Sequence, residues 1–136
     1  MDAAAKLKSP AGGDFEYLDM IMAVDYPHGF ELVYRLVSLK TNQSITLKTR
    51  LSKDDPSVPS LTSLWKGADW LERETFDLVG IKFTGHPNLI RILLPDGWNG
   101  HPLRKDYDMD TEQFITIGED GDDIVSPDGT NLLRRK

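Results

Sequence analysis

The chain has 136 residues, 39% hydrophobic and 28% charged, a length and balance that fit one domain with a buried core. Its formal net charge of −6, with basic residues scattered among acids, opposes binding to a polyphosphate backbone, so nucleic acid is excluded as the expected partner. It contains no cysteine, which removes disulfides, thiolate nucleophiles, zinc–thiolate sites and cysteine-held iron–sulfur clusters from its own chemistry.

In chain order, residues 1–13 read as a flexible lead-in: a short helical tract, Ala3 to Lys8, then Ser9-Pro10-Ala11-Gly12-Gly13, a run poor for any regular element. The N-terminus lacks a secretory leader's apolar stretch, and no apolar run approaches the ~20 residues that span a bilayer. These features lead to the expectation of a chain facing the cytoplasm or an organellar matrix. From Leu18 to Tyr26 the even positions Leu18, Met20, Met22, Val24 and Tyr26 alternate with Asp19, Ile21, Ala23 and Asp25, predicting a strand with its even-numbered face apolar. Pro27-His28-Gly29 turns the chain.

Phe30 to Leu39 is apolar on both faces and predicts a central strand. After the turn residues Thr41 to Ser44, Ile45, Leu47 and Leu51 alternate with Thr46, Lys48 and Arg50, a third strand with one wet face that completes an antiparallel meander. Ser52 to Ser60, with Asp54-Asp55-Pro56 and Pro59, reads as a loop. Apolar residues from Leu61 to Val79 then follow helical spacing, with a break or kink at Gly67 and a stop at Gly80. Ile81 to Phe83 and Ile90 to Leu94 read as short extended pieces joining the same sheet. In the polar tail one strand is predicted at Phe114 to Ile117, followed by an acidic turn from Glu119 to Asp123. The tail buries too little to fold alone, so it is expected to be disordered in isolation or laid over another surface.

The expected fold class is therefore α+β: a two-layer α/β sandwich whose mixed, mostly antiparallel sheet carries an antiparallel meander packed by one or two helices. The domain spans residues 14–107, and residues 108–136 form an extended tail.

Chemistry concentrates between Trp70 and Tyr107. His86 and His101, each in a Gly-His-Pro turn, combine on paper with Glu72, Glu74 or Asp77 into a metal or acid/base site, which with Glu72 or Glu74 would be that of a metal-dependent hydrolase. Their spacing lacks the His-Glu-x-x-His pattern, however, and a following proline biases each backbone to extended geometry, so turn histidines bonded to backbone are the simpler reading. Arg73 and Asp77 lie four apart on the helix and could pair. Glu72 and Glu74 point about 200° apart and cannot share a face, so one of them is expected to turn inward, toward either a partner arginine or an internal backbone amide. Trp65 lies on the core stripe. Trp70 and Trp98 lie off it or in a Gly-rich loop, where protein interfaces gather their anchors. Nucleophile elbow, phosphate loop, dinucleotide fingerprint and calcium loop are all missing from the sequence.

Glu72-Arg73-Glu74-x-x-Asp77-Leu78, Gly80-Ile81 to Gly85-His86-Pro87, Arg91-Ile92-Leu93 and Gly100-His101-Pro102-Leu103-Arg104-Lys105-Asp106-Tyr107 together resemble the C-type, 30 kDa subunit of the proton-pumping NADH:quinone oxidoreductase, respiratory complex I. Upstream, Ala23 to Pro27, Val33-Tyr34 and Asp55-Pro56-x-Val58-Pro59-Ser60 extend the likeness over roughly Phe15 to Tyr107. Val79, Ile90 and Asp108 depart from the family's usual residues, and the lead-in is shorter than usual.

The resemblance implies a noncatalytic subunit of the hydrophilic arm that braces the quinone-side subunits, chiefly the large D-type subunit, during electron transfer from NADH to quinone coupled to proton translocation. FMN, iron–sulfur clusters and quinone are then expected in partner subunits and none in this chain. Membrane contact comes only through the complex, which lies peripherally on the cytoplasmic face of the inner membrane. On this reading Trp70, Glu72, Arg73, Glu74, Asp77, His86, Arg91, Trp98, His101, Arg104, Lys105, Asp106 and Tyr107 stand at interfaces, with Arg104 in a buried ion pair to a partner. The equivalent subunit of a membrane-bound hydrogenase or a ferredoxin-linked complex is the alternative of the same kind.

Overall fold

The computed structural model describes residues 2–110, 113–117, 121 and 123–126. Three antiparallel strands form the expected meander: β1 (Tyr17–Tyr26), β2 (Gly29–Ser38) and β3 (Gln43–Leu51), in spatial order β1-β2-β3. β2 is central: Phe30, Leu32, Tyr34 and Leu36 are buried on its core face, whereas its other face carries buried Val33 between half-buried Glu31 and exposed Arg35. β3 alternates half-buried Ile45, Leu47 and Leu51 with exposed Thr46, Lys48 and Arg50. Asn42 takes a left-handed φ of 55° in the turn that joins β2 to β3, a conformation asparagine tolerates.

The face of β1 is not the one alternation predicts. Leu18 pairs with Leu36 but Met20 pairs with Arg35, so Asp19 is an extra residue, a β-bulge. Because side chains alternate with period two, one inserted residue reverses every position after it. Leu18 and Ile21 therefore face the core, Asp25 is buried, and Met22 and Tyr26 emerge on the opposite, exposed face.

The helical run also starts later than its apolar spacing suggests. Residues 61–67 form hydrogen-bonded turns, and the helix α2 spans Ala68–Val79, with the expected break at Gly67 serving as its N-cap. Leu61 and Trp65 still reach the core from those turns. The Trp65 indole donates to the Phe15 carbonyl at 3.2 Å. α2 packs on β1, and its Ala68 and Val79 meet Phe30, Leu32 and Leu36 in one apolar cluster.

Four further segments depart from expectation. Ser57–Pro59, inside the stretch read as loop, is a short strand β4. It pairs in parallel with β5 (Lys82–Thr84) as a separate two-stranded sheet, so the piece after Gly80 does not join the meander. Ile90 to Leu94 is no strand, because a carboxylate captures its amides, as described below. At the N-terminus α1 (Asp2–Lys8) forms and places Ala4 in the core, and Pro10–Gly12 closes a 3-10 turn where no regular element was expected. β6 (Phe114–Ile117) is the strand predicted in the tail and pairs antiparallel with β7 (Asp123–Ser126). Most of the acidic turn between them, and residues 127–136, lie outside the described residues. The fold class is α+β, as the periodicities indicate.

Candidate functional site: the C-terminal end of helix α2

A helix leaves its last carbonyls without intrahelical donors and gathers partial negative charge there. α2 has no basic residue in its last turn to answer this. Gly80 ends it in the left-handed conformation at φ 78°, its amide donating to the Phe76 carbonyl at 2.8 Å. The chain from Ile90 to Tyr107 then folds back over the terminus and supplies the missing donors.

His101 Nδ1 lies 2.8 Å from the Asp77 carbonyl, which only accepts, so Nδ1 carries the proton. The Leu103 amide donates to the Leu78 carbonyl at 2.9 Å. Arg104 Nε donates to the Val79 carbonyl at 2.6 Å and Nη2 to the Gly80 carbonyl at 3.3 Å. Its guanidinium also lies over the Phe30 ring, 5.3 Å from the centroid. A Cβ at position 80 would stand 2.5 Å from the His101 ring and 2.6 Å from Arg104, so only glycine admits this cap.

The Asp77 side chain is the hub. Its Oδ1 pairs with Arg91 Nη1 at 2.7 Å. Its Oδ2 accepts three successive amides, from Ile92 at 3.0 Å, Leu93 at 2.8 Å and Leu94 at 2.9 Å. Burial alone would raise this carboxyl's pKa, but the Leu94, Ile92 and Leu93 amides and the Arg91 guanidinium outweigh it and hold the group below the usual carboxylate range. Arg91 Nη2 continues to the carbonyls of Trp98 at 3.0 Å and Gly100 at 3.1 Å, tying the Gly-rich loop to the helix. The i,i+4 pair between Arg73 and Asp77 does not form. Arg73 instead donates to the Ile90 and Arg91 carbonyls, both at 3.1 Å, while lying 5.2 Å from the centre of the Trp70 ring.

One helical turn earlier, Glu72 is wholly buried, resolving the two options for that position in favour of internal groups. It accepts the Leu61 amide and the Ser60 hydroxyl, each at 2.7 Å. Here burial prevails over those hydrogen bonds and raises the pKa. Burial, and then the Glu72 charge, push the nearby Tyr34 hydroxyl up as well. Glu74 points outward.

A second buried carboxyl anchors the end of the wrapped segment. Asp25 pairs with Lys53 Nζ at 2.8 Å and accepts the Lys105 amide at 2.9 Å. Burial raises its pKa, and Lys53 with the Lys105 amide bring it below the ordinary value. The Tyr107 ring lies close to Gly100, and its hydroxyl accepts from Gln113 at 2.9 Å. Asp106 is exposed, as is the side of Lys105 away from its amide contact.

The histidines do not converge. His86 Nδ1 accepts the Asn88 amide at 3.0 Å while Nε2 faces the Asp69 carbonyl at 3.3 Å and carboxylate at 3.7 Å, and His101 is held as above. Among the described residues no group of three or more His, Asp or Glu side chains is placed to hold a metal. With Glu72 sealed inside and Glu74 turned outward, the hydrolase geometry is not assembled.

The residues singled out in the sequence are thus brought together, but mostly with one another and with backbone. Arg104 donates to backbone carbonyls of its own chain, where a partner's carboxylate was expected. Sequence reading missed Asp25, Lys53 and Ser60 as members of the site. Asp25 was hidden because the bulge reverses its face, and Ser60 because a serine after Pro59 reads as turn chemistry. Outside this closed network stand Trp70, 63% exposed, with exposed Ile90, Leu93 and Leu103.

His101 carries a testable pH dependence. Burial first, then Arg104 and Arg91, lower its pKa despite the Asp77 carbonyl. The fold therefore favours neutral imidazole: the stabilisation is whole above the ordinary value of 6.5 and is lost as pH falls through the lowered folded pKa. His101→Asn keeps an N–H donor near Nδ1 and removes the titration. Between about pH 7.5 and about pH 5.5 its melting temperature should fall less than the wild type's. Equal slopes by scanning calorimetry would contradict this.

Such an arrangement marks a class of small α+β domain, one whose irregular segment is bolted to the end of a helix by buried polar groups, leaving apolar side chains outward. Residues 1–113 match the respiratory-chain NADH dehydrogenase, 30 Kd subunit, and the chain belongs to that family. It is 47% identical over 124 residues to the NADH-quinone oxidoreductase C-type subunit of Roseiflexus sp. (strain RS-1), covering 88% of this chain and 71% of that relative. It is 51% identical over 85 residues to the NADH-quinone oxidoreductase C/D-type subunit of Psychrobacter cryohalolentis, covering 62% of this chain and 14% of that longer protein. Among solved structures, a trypsin-resistant fragment of Nqo5 is similar at 32% identity and a TM-score of 0.53, covering 63% of this chain and 77% of that one. A chain of an archaeal membrane-bound sulfane sulfur reductase is similar at 29% identity and a TM-score of 0.62, covering 68% of this chain and 58% of that one. Among the described residues no helix is long and apolar enough to cross a membrane.

Proposed function

We propose that this chain is a noncatalytic structural subunit of the hydrophilic arm of an NADH:quinone oxidoreductase, bracing the quinone-side, cluster-bearing subunits while electrons pass from NADH to quinone. The family match over residues 1–113 carries this reading. FMN, iron–sulfur clusters and quinone belong on this account to partner subunits, and the chain sits peripherally on the cytoplasmic face of the membrane through the complex alone.

The D-type subunit is the proposed principal partner, supported by relatives in which the C and D types form one protein. Trp70, Ile90 and Leu93 are the proposed anchors. Arg73 stacks on Trp70 and bonds the Ile90 backbone carbonyl, so the segment that carries exposed Ile90 and Leu93 runs beside Trp70 as one ledge. The network around Asp77 holds that ledge rigid, which lowers the ordering cost of association. The other members of the network, Glu72, His86, Arg91, Trp98, His101, Arg104, Lys105, Asp106 and Tyr107, contribute to the interface by shaping this segment, with Glu74 at its rim.

Trp70→Ala combined with Leu93→Glu should leave the melting temperature within a few degrees of wild type, since both side chains are exposed. Retention of the D-type subunit in a pull-down on this chain should fall tenfold or more, because a buried aromatic anchor is worth about 2 kcal/mol or more. Undiminished retention would refute the ledge as the docking face.

A further inference from the structure

The bulge at Asp19 leaves β1 with two features that the described residues do not cover: an unpaired backbone edge and an exposed apolar stripe. β1 is an edge strand of the meander, and among the described residues its outer backbone edge has no hydrogen-bonded neighbour. The same strand turns Met22, 45% exposed, and Tyr26, 43% exposed, to the face away from the core, beside half-buried Met20 and Val24. β3 contributes Thr46, Lys48 and Arg50 to that face. The apolar stripe thus runs along the open edge and fades across the sheet.

A long apolar edge strand is a template for another chain unless it is covered. We propose that the edge of β1 from Met20 to Tyr26 is a strand-addition site for an extended, apolar segment of a partner protein. A strand is the occupant that satisfies both observations, since it pairs the open amides and carbonyls while its alternate side chains widen the stripe. A helix laid on the sheet would cover Met22 and Tyr26 but leave the edge unpaired. The net charge of −6 opposes an anionic bilayer. The bulge confines the site, because the two-for-one pairing at Asp19 breaks the edge's regular spacing and stops sheet growth there. The inference rests on the reading of this chain as a subunit of a larger assembly.

Hydrogen exchange tests it. Tyr26 and Gly29 close a two-residue hairpin, so antiparallel alternation directs the Met22 and Val24 amides toward β2 and the Ile21 and Ala23 amides toward the open edge. In the isolated chain Ile21 and Ala23 should exchange quickly. In the complex purified through a tag on this chain they should slow at least a hundredfold, while Met22 and Val24 stay slow in both. Ala23→Pro, which removes an edge donor without touching the β1–β2 ladder, should reduce incorporation into the complex at least tenfold, and so should Met22→Lys. Unchanged exchange at Ile21 and Ala23 in an intact complex would overturn the site while leaving the family role of the chain standing. A chain that enters no complex overturns both. Shielding of Met22 with fast edge amides identifies a helix, and a β1-dependent dimer of the isolated chain identifies a second copy. Either result rejects a partner's strand.

Discussion

Replacing Asp77 with Ala should cost the isolated chain about 3 to 5 kcal/mol, because it strips the half-buried Arg91 guanidinium of its counterion and orphans three amides at once. For a domain of this size that is a fall in melting temperature of about 10 °C or more. The loss should come mainly from the segment 90–104, which has no strand or helix of its own and is held to α2 by polar contacts centred on this side chain. Combining Asp77→Ala with Arg91→Met should be less damaging than the sum of the two, since the unpaired charge leaves with its partner. Urea unfolding measures both. A loss below about 1 kcal/mol for Asp77→Ala would mean that the wrapped segment does not depend on the hub.

Glu72→Ala should cost about 2 to 4 kcal/mol by leaving the Leu61 amide and Ser60 hydroxyl unanswered beside a cavity. Glu72→Gln should cost far less at neutral pH, because the amide oxygen still accepts the Leu61 amide and a neutral side chain avoids burying charge. The sign of the pH dependence separates the two buried carboxyls of α2. The folded pKa of Glu72 lies above its unfolded value of 4.5, so its contribution is whole below that value and lost as pH rises through the folded pKa. Asp77 runs the other way: its contribution is present above 3.8 and lost as pH falls through the depressed folded pKa. The stability of Glu72→Gln relative to wild type should therefore improve as pH rises from about 4 toward neutrality. If Glu72→Gln proved as damaging as Glu72→Ala at neutral pH, the charge itself would be required, and the account in which burial of the charged form costs stability would fail.

These two carboxyls show how far the sequence carries. That Glu72 and Glu74 diverge follows from helical geometry alone, so one inward carboxylate could be anticipated. That Asp77 would reject Arg73, four residues away on its own helix, for Arg91 could not. An isolated i,i+4 pair is worth a few tenths of a kcal/mol, whereas three amides and a guanidinium converging on one buried carboxylate outweigh it. The same capture explains why Ile90 to Leu94, apolar enough for a strand, is none.

Residue order alone was enough for the α+β class, the three-strand meander with its central strand, the stop at Gly80, the strand at Phe114 and the family, because these rest on local periodicity, turn chemistry and a run of ordered motifs. It took the folded chain to establish which face of β1 is buried, that Ser57–Pro59 and Lys82–Thr84 pair in parallel, and that the charged residues near α2 close on one another. The difference is one of range: a single inserted residue at Asp19 reverses a face without altering composition, and the side chains that cap α2 stand 14 to 25 residues downstream of the carbonyls they serve.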